Sequence, residues 1–170
     1  VEQLMSKLRL LTIVTAVNYA ALIGVGVVKV MPATRGLKPF DLRYFGYSYE
    51  DALTYLTALT FDTAALLIGP VRWLDTSFPL LFAATLIGWG WLLAKQAPDH
   101  IKGLTVLLPL GYLSLDYVEN HLVAKMISGA LPSAEQVQMA SSVTVGKFLF
   151  VVACVLLLAV LGYRDFSKKE

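Results

Sequence analysis

Residues 115–125 read LDYVENHLVAK, and residues 103–114 before them read GLTVLLPLGYLS. The earlier run has the composition of a membrane-spanning helix. The later run then brings in Asp116, Glu119, Asn120 and His121 within two turns. What surrounds that polar stretch decides the fold. The whole chain is 57% hydrophobic and only 15% charged over 170 residues, whereas soluble domains carry about 25% charged residues. Its mean hydropathy is +0.67. A membrane protein is therefore expected, and the polarity of 116–121 has to be accommodated inside a bundle of helices.

Working outward, apolar segments long enough to cross a bilayer, about 18 residues or more, fall at about 8–28, 73–94, 103–127 and 143–163. The first runs past 20 residues without a small-residue cleavage site after a short core, so it is expected to be a retained helix, not a signal peptide. Between the first two spans lies a long connection, 29–72. Its first half, KVMPATRGLKPFDLRYFGYS, is polar and punctuated by Pro and Gly; its second half, YEDALTYLTALTFDTAALLIGP, reads as a helix. Ser48 with Asp51 forms a capping-box pattern, and Gly69-Pro70 marks a stop. Threonines at 54, 57, 60 and 63 make this segment a poor lipid-facing span, so an extramembrane or interfacial helix is expected, with a re-entrant span as the alternative. Ser133 with Gln136 is a second capping box and starts the last helix near 134. The fold class is thus all-α: a four-transmembrane-helix bundle, one domain over 1–170, with an external cap at 29–72 that contains an amphipathic helix between helices one and two.

Lysine and arginine near the helix ends set orientation. Lys7, Arg9, Lys95, Lys102, Arg164, Lys168 and Lys169 fall on one side, which is expected to be cytoplasmic together with both termini. Counting 1.5 Å per residue from that side, Asp116 lies roughly 21 Å up its helix, Glu119 and Lys147 about 26 Å, Asn120 about 27 Å and Asp75 about 30 Å. All five therefore share the outer third of a hydrocarbon core about 30 Å thick. Tyr112, Asp116, Glu119 and Asn120 also share a helical face.

An ionised Asp or Lys at a helix centre costs about 2.5–3.5 kcal/mol on the insertion scale. These side chains are thus expected to turn inward and pair, with Lys147 against Asp116 or Asp75 and Arg72 as a second cation at the rim. More carboxylates than cations face this region, so at least one carboxyl is expected to be protonated, hydrogen-bonded to Asn120 or Tyr112, or wetted in a cavity. The residues proposed to line an outward-facing polar pocket are Asp75, Tyr112, Asp116, Glu119, Asn120 and Lys147. A purely structural polar network is the competing reading. Proton or ion translocation lacks a polar path below Asp116, where the third span offers only Ser114 and Thr105.

Other features exclude function classes. The net charge of +2 and the lack of basic runs argue against nucleic acid. The single cysteine, Cys154, allows no disulfide within the chain and no thiolate metal site. His100 and His121 sit near opposite faces, which disfavours a bis-histidine haem. No metal or cofactor is expected. No phosphate-binding loop, G-x-S-x-G, HExxH or dinucleotide fingerprint is present. Trp73, Trp89 and Trp91 fit an aromatic belt, Asn18 is expected to bond across the bundle, and Pro79 and Pro109 are expected to bend their helices. RYFGYSYEDAL at 43–53 is expected to fold over the mouth of the bundle.

LDTSFP at 74–79, DYVEN at 116–120 and TVGK at 144–147 resemble the D-x-x-F-P, D-x-x-E-N and T-x-x-K pattern of small four-helix bacterial membrane proteins, and FGYS at 45–48 resembles the same group. That resemblance implies a bacterial inner membrane and no particular activity. Size and layout are also similar to the sterol-isomerase and sigma-2-receptor group, whose histidine–glutamate arrangement is not recognisable here, so no catalytic residue follows. The expectation is a non-enzymatic integral membrane protein that binds a membrane lipid or small amphipathic ligand. The alternatives are an accessory subunit whose partners are other membrane proteins, and a lipid-modifying enzyme using Glu119 or Asp116 as acid/base.

Overall fold

Unsatisfied backbone polar groups are costly in lipid, so a chain this apolar is driven into helices that satisfy their own N–H and C=O groups. A computed structural model of the chain describes residues 2–167, and among them there is no strand. Five helices account for most of the chain: α1 (Glu2–Ala33), α2 (Tyr49–Ala58), α3 (Phe61–Leu93), α4 (Asp99–Ser128) and α5 (Ala134–Phe166). Four of them, α1, α3, α4 and α5, are long and apolar enough to cross a membrane. The protein is a four-span helical bundle. Lys168 and Lys169, counted above with the basic flank, lie outside the described residues.

Local chemistry sets the helix ends. Ser48 accepts from the Asp51 amide while the Asp51 carboxylate takes the Ser48 N–H, and Ser133 and Gln136 make the same reciprocal pair at the start of α5. The long connection is shorter than its sequence implies, because helix extends into it from both sides. α1 continues through a π-helical stretch, Gly26–Val30, to Ala33. α3 begins at Phe61, capped by Thr60, and breaks only at Gly69. The Gly69-Pro70 signal is therefore a hinge inside one long helix. Gly69 takes φ −102 and ψ −106, and a Cβ there would stand 2.7 Å from the Ala65 carbonyl. Pro70 restarts the helix at a position where its missing N–H costs nothing.

In space the order is α1 against α3, α3 against α4, and α4 against α5, with α5 also touching α3. No packed seam joins α1 to α5. Small residues and hydroxyls make the seams, as expected where lipid removes the hydrophobic drive between helices. Thr15 and Thr85 hydroxyls meet at 2.9 Å, Asn18 Nδ2 donates to Ser77 Oγ at 2.6 Å, and Trp89 Nε1 donates to Thr12 Oγ1 at 3.0 Å across α1/α3. Leu8 fills the space above Gly88, Thr105 that above Gly90, and the Phe150 ring that above Gly111. Only 6% of the most apolar window of α1 is buried, so α1 is the peripheral helix, held mainly by α3. Trp73 and Trp91 are both exposed and stand roughly 27 Å apart along α3, close to the ~30 Å of a hydrocarbon core.

Residues 37–55 close the end of the bundle reached by the C-terminal end of α1. Phe40 and Tyr55 are buried with Val30, Met126, Val137 and Ala140, and the Arg43 guanidinium lies 5.5–5.7 Å from the Phe40, Tyr47 and Tyr55 rings. Burial pushes the Tyr47 and Tyr55 phenols well above their ordinary range, so both stay neutral. The turn before α2 docks on α5. Gly46 is left-handed at φ +85 and sits against Ser141, whose Oγ accepts the Tyr47 N–H at 2.8 Å.

Candidate ligand pocket

The motifs at 116–120 and 144–147 meet face to face. Asp116 and Glu119 are one turn apart on α4, and Thr144 and Lys147 are one turn apart on α5. Because the two helices run antiparallel, one turn up α4 matches one turn down α5. Lys147 Nζ lies 3.0 Å from Asp116 Oδ1. It also forms an ion pair with Glu119 Oε2, and Thr144 Oγ1 donates to Glu119 Oε1. Asn120 Nδ2 completes the network, donating to Asp116 Oδ2 and to the Asp75 carbonyl oxygen, each at 3.1 Å. Glu119 is 0% exposed and Lys147 5%. Two carboxylates and one ammonium at that depth persist only because each is matched.

Above and beside this network lies a cavity of about 470 Å³ between α1, α3, α4 and α5, roofed by Asp41, Leu42 and Tyr44. That volume is within the usual range for small-molecule pockets, about 300–1,000 Å³. Five of the six residues expected to line a pocket do so: Asp75, Tyr112, Asp116, Asn120 and Lys147. Glu119 is on the same stripe of α4 but lies behind the wall, locked to Thr144 and Lys147. Its role is to hold Lys147. Arg72 also lines the wall.

The expected pairing of Lys147 holds for Asp116 and not for Asp75. Glu119 takes that place, and the Asp75 carboxylate makes no hydrogen bond or ion pair with any described residue. Asp41, which the motifs do not single out, comes within 4.0 Å of Lys147 from the connection. Thr144, quoted in a motif without a role, is the hydrogen-bond donor to Glu119. The T-x-x-K spacing carried that signal, since it places the hydroxyl on the same face as Lys147. His121 is exposed, and among the described residues no three His, Cys, Asp or Glu side chains are grouped to hold a metal.

The remaining wall is largely aromatic and aliphatic. Tyr19, Phe78, Phe82 and Tyr112 form a continuous run of rings with centroids 5.1, 5.5 and 5.4 Å apart, and Tyr44 meets Phe148 edge-on at 4.5 Å. The chamber thus has apolar walls, a charged inner face and a roof that belongs to the connection. No known protein family, curated protein or solved structure matches this chain.

Proposed function

We propose that the protein is a non-enzymatic membrane protein that holds a lipid or other small amphipathic molecule in this cavity. One observation carries the reading: the wall residues Asp75, Tyr112, Asp116, Asn120 and Lys147, drawn from three helices, converge on one largely apolar space of about 470 Å³. A network serving packing alone has no need of that space, since interiors close around their polar groups. Acid/base chemistry by Glu119 is disfavoured by its position behind the wall. The basic residues at the ends of α1, α3, α4 and α5 support a cytoplasmic location for both termini, with the cavity toward the outer face of a bacterial inner membrane.

Native mass spectrometry of the protein extracted in mild detergent tests the reading. A co-purified small molecule is expected with the native chain and absent from Val151→Trp, which fills the cavity from α5. Identical spectra for both proteins would refute it. Labelling of single cysteines placed at Gln96 and at Tyr49 from either side of intact cells tests the orientation, with Tyr49 expected on the outside.

A further inference from the structure

The charges around the cavity do not balance. Lys147 is matched by Asp116 and Glu119, and Asp41 brings a third carboxylate to 4.0 Å. Asp75 lies on the same wall with its carboxylate unpaired among the described residues. Arg72, one turn further along α3 toward Gly69, is the only other cation of the wall among the described residues, and it forms no ion pair with any of these carboxylates. Four carboxyl groups thus stand against two cations, and the two with least compensation both line the cavity: Asp75 on its wall, and Asp41 half-exposed at its roof. An unpaired carboxyl in an apolar chamber gains from an incoming cation, which gives its ionised form a partner.

The walls fit the same chemistry. The Tyr19–Phe78–Phe82–Tyr112 run presents aromatic rings beside Asp75 and Asp116, and aromatic faces attract ammonium groups. An anionic head would find Arg72 near the roof but would meet Asp41 and Asp75 as like charges.

The route in follows from the packing order. No seam joins α1 to α5, yet α1 contributes Ala16, Tyr19 and Ile23 to the wall, and α5 contributes Phe148 and Val151. The cavity therefore lies behind the space between the first and last spans, where Tyr44 packs on Phe148 at the roof end. Asp41, Leu42 and Tyr44 cover it from the aqueous side.

Building on the pocket reading above, we propose that the cavity takes a membrane-borne amphiphile with an ammonium head, which enters sideways between α1 and α5. The head sits at Asp75 and Asp41, and the hydrocarbon chain lies along the rings and out toward the lipid.

The test uses the full chain in a neutral maltoside detergent with three probes of equal chain length: tetradecylammonium, tetradecanol and tetradecanoate. Binding is read by native mass spectrometry and by the shift in melting temperature. Tetradecylammonium is expected to bind at least about tenfold more tightly than the other two. Asp75→Asn is expected to erase that preference while the ligand-free melting temperature holds. Should Asp75→Asn fail to fold, Asp41→Asn on the connection carries the same expectation. Equal or tighter binding of tetradecanoate or tetradecanol that Val151→Trp abolishes would overturn the ammonium class and leave the pocket standing. A preference for tetradecylammonium that survives both Asp75→Asn and Asp41→Asn would also overturn it. Binding of all three probes indifferent to Val151→Trp, or no binding at all, would overturn the pocket and this proposal together.

Discussion

Lys147 on α5 is clamped between two carboxylates of α4: Asp116, at 3.0 Å, and Glu119, one turn on, whose other oxygen is held by Thr144. This arrangement is the main polar tie of the α4/α5 seam. Replacing Lys147 by Met leaves two buried carboxylates without their cation, and breaking a buried pair from one side costs about 3–5 kcal/mol. Lys147→Met should lower the unfolding midpoint in detergent sharply, and adding Glu119→Gln or Asp116→Asn should recover part of the loss. Asp75→Asn should recover far less. A cycle in which Lys147 and Glu119 changes simply add would rule out the clamp.

Thr144 donates its hydroxyl to a carboxylate that has no exposure. Thr144→Val keeps the shape and removes the donor, with an expected cost of about 1–3 kcal/mol. Thr144→Ser should restore most of it. Equal stability of the Val and Ser variants in thermal unfolding would remove Thr144 from the network.

Gly46 holds the roof onto α5. Its φ is +85, and a Cβ there would stand 2.7 Å from Ser141 Oγ. Gly46→Ala combines left-handed strain of about 1–2 kcal/mol with that clash. The segment around residues 37–48 should be cut faster by added protease in detergent, while the four long helices stay intact. Adding Ser141→Ala should relieve the clash but not the strain, and it also loses the Tyr47 hydrogen bond. An unchanged cleavage rate in Gly46→Ala would mean the roof does not depend on this turn.

At the start of α2, hydrogen bonds from the Ser48 hydroxyl and amide hold the Asp51 carboxyl below its ordinary pKa of 3.8. A depressed carboxylate adds stability above its unfolded pKa and loses it as pH falls through the folded value. Helix α2 should therefore fray in acid, below the normal carboxylate range, and hold steady above it. Amide exchange in α2, corrected for intrinsic rates, should show that acid step in the native chain and lose it in Asp51→Asn. Ser48→Ala should weaken the helix at neutral pH by about 0.5–2 kcal/mol.

Much of this architecture is readable from spacing. Asp116 and Asn120 are four residues apart on one helix and do hydrogen-bond, because helical geometry alone puts such pairs together. Ser48 with Asp51 and Ser133 with Gln136 cap their helices for the same local reason. The inward turn of the polar residues follows from the cost of charge in lipid. Gly69-Pro70 shows the limit: the pair reads as an end, but a residue free of Cβ followed by a helix-starting proline also makes a hinge.

Composition and periodicity thus determined the four-helix bundle and the shared inward face of Tyr112, Asp116, Glu119 and Asn120, since these depend on helical geometry and on solvation. Only the tertiary structure decided which partner each charge takes. Lys147 chose Glu119 over Asp75 because α5 packs along α4 in one antiparallel register, and Asp41 joined through a roof that no helical period describes. It also decided that the polar residues border a cavity, because the missing seam between α1 and α5 depends on how whole helices pack and on no local pattern.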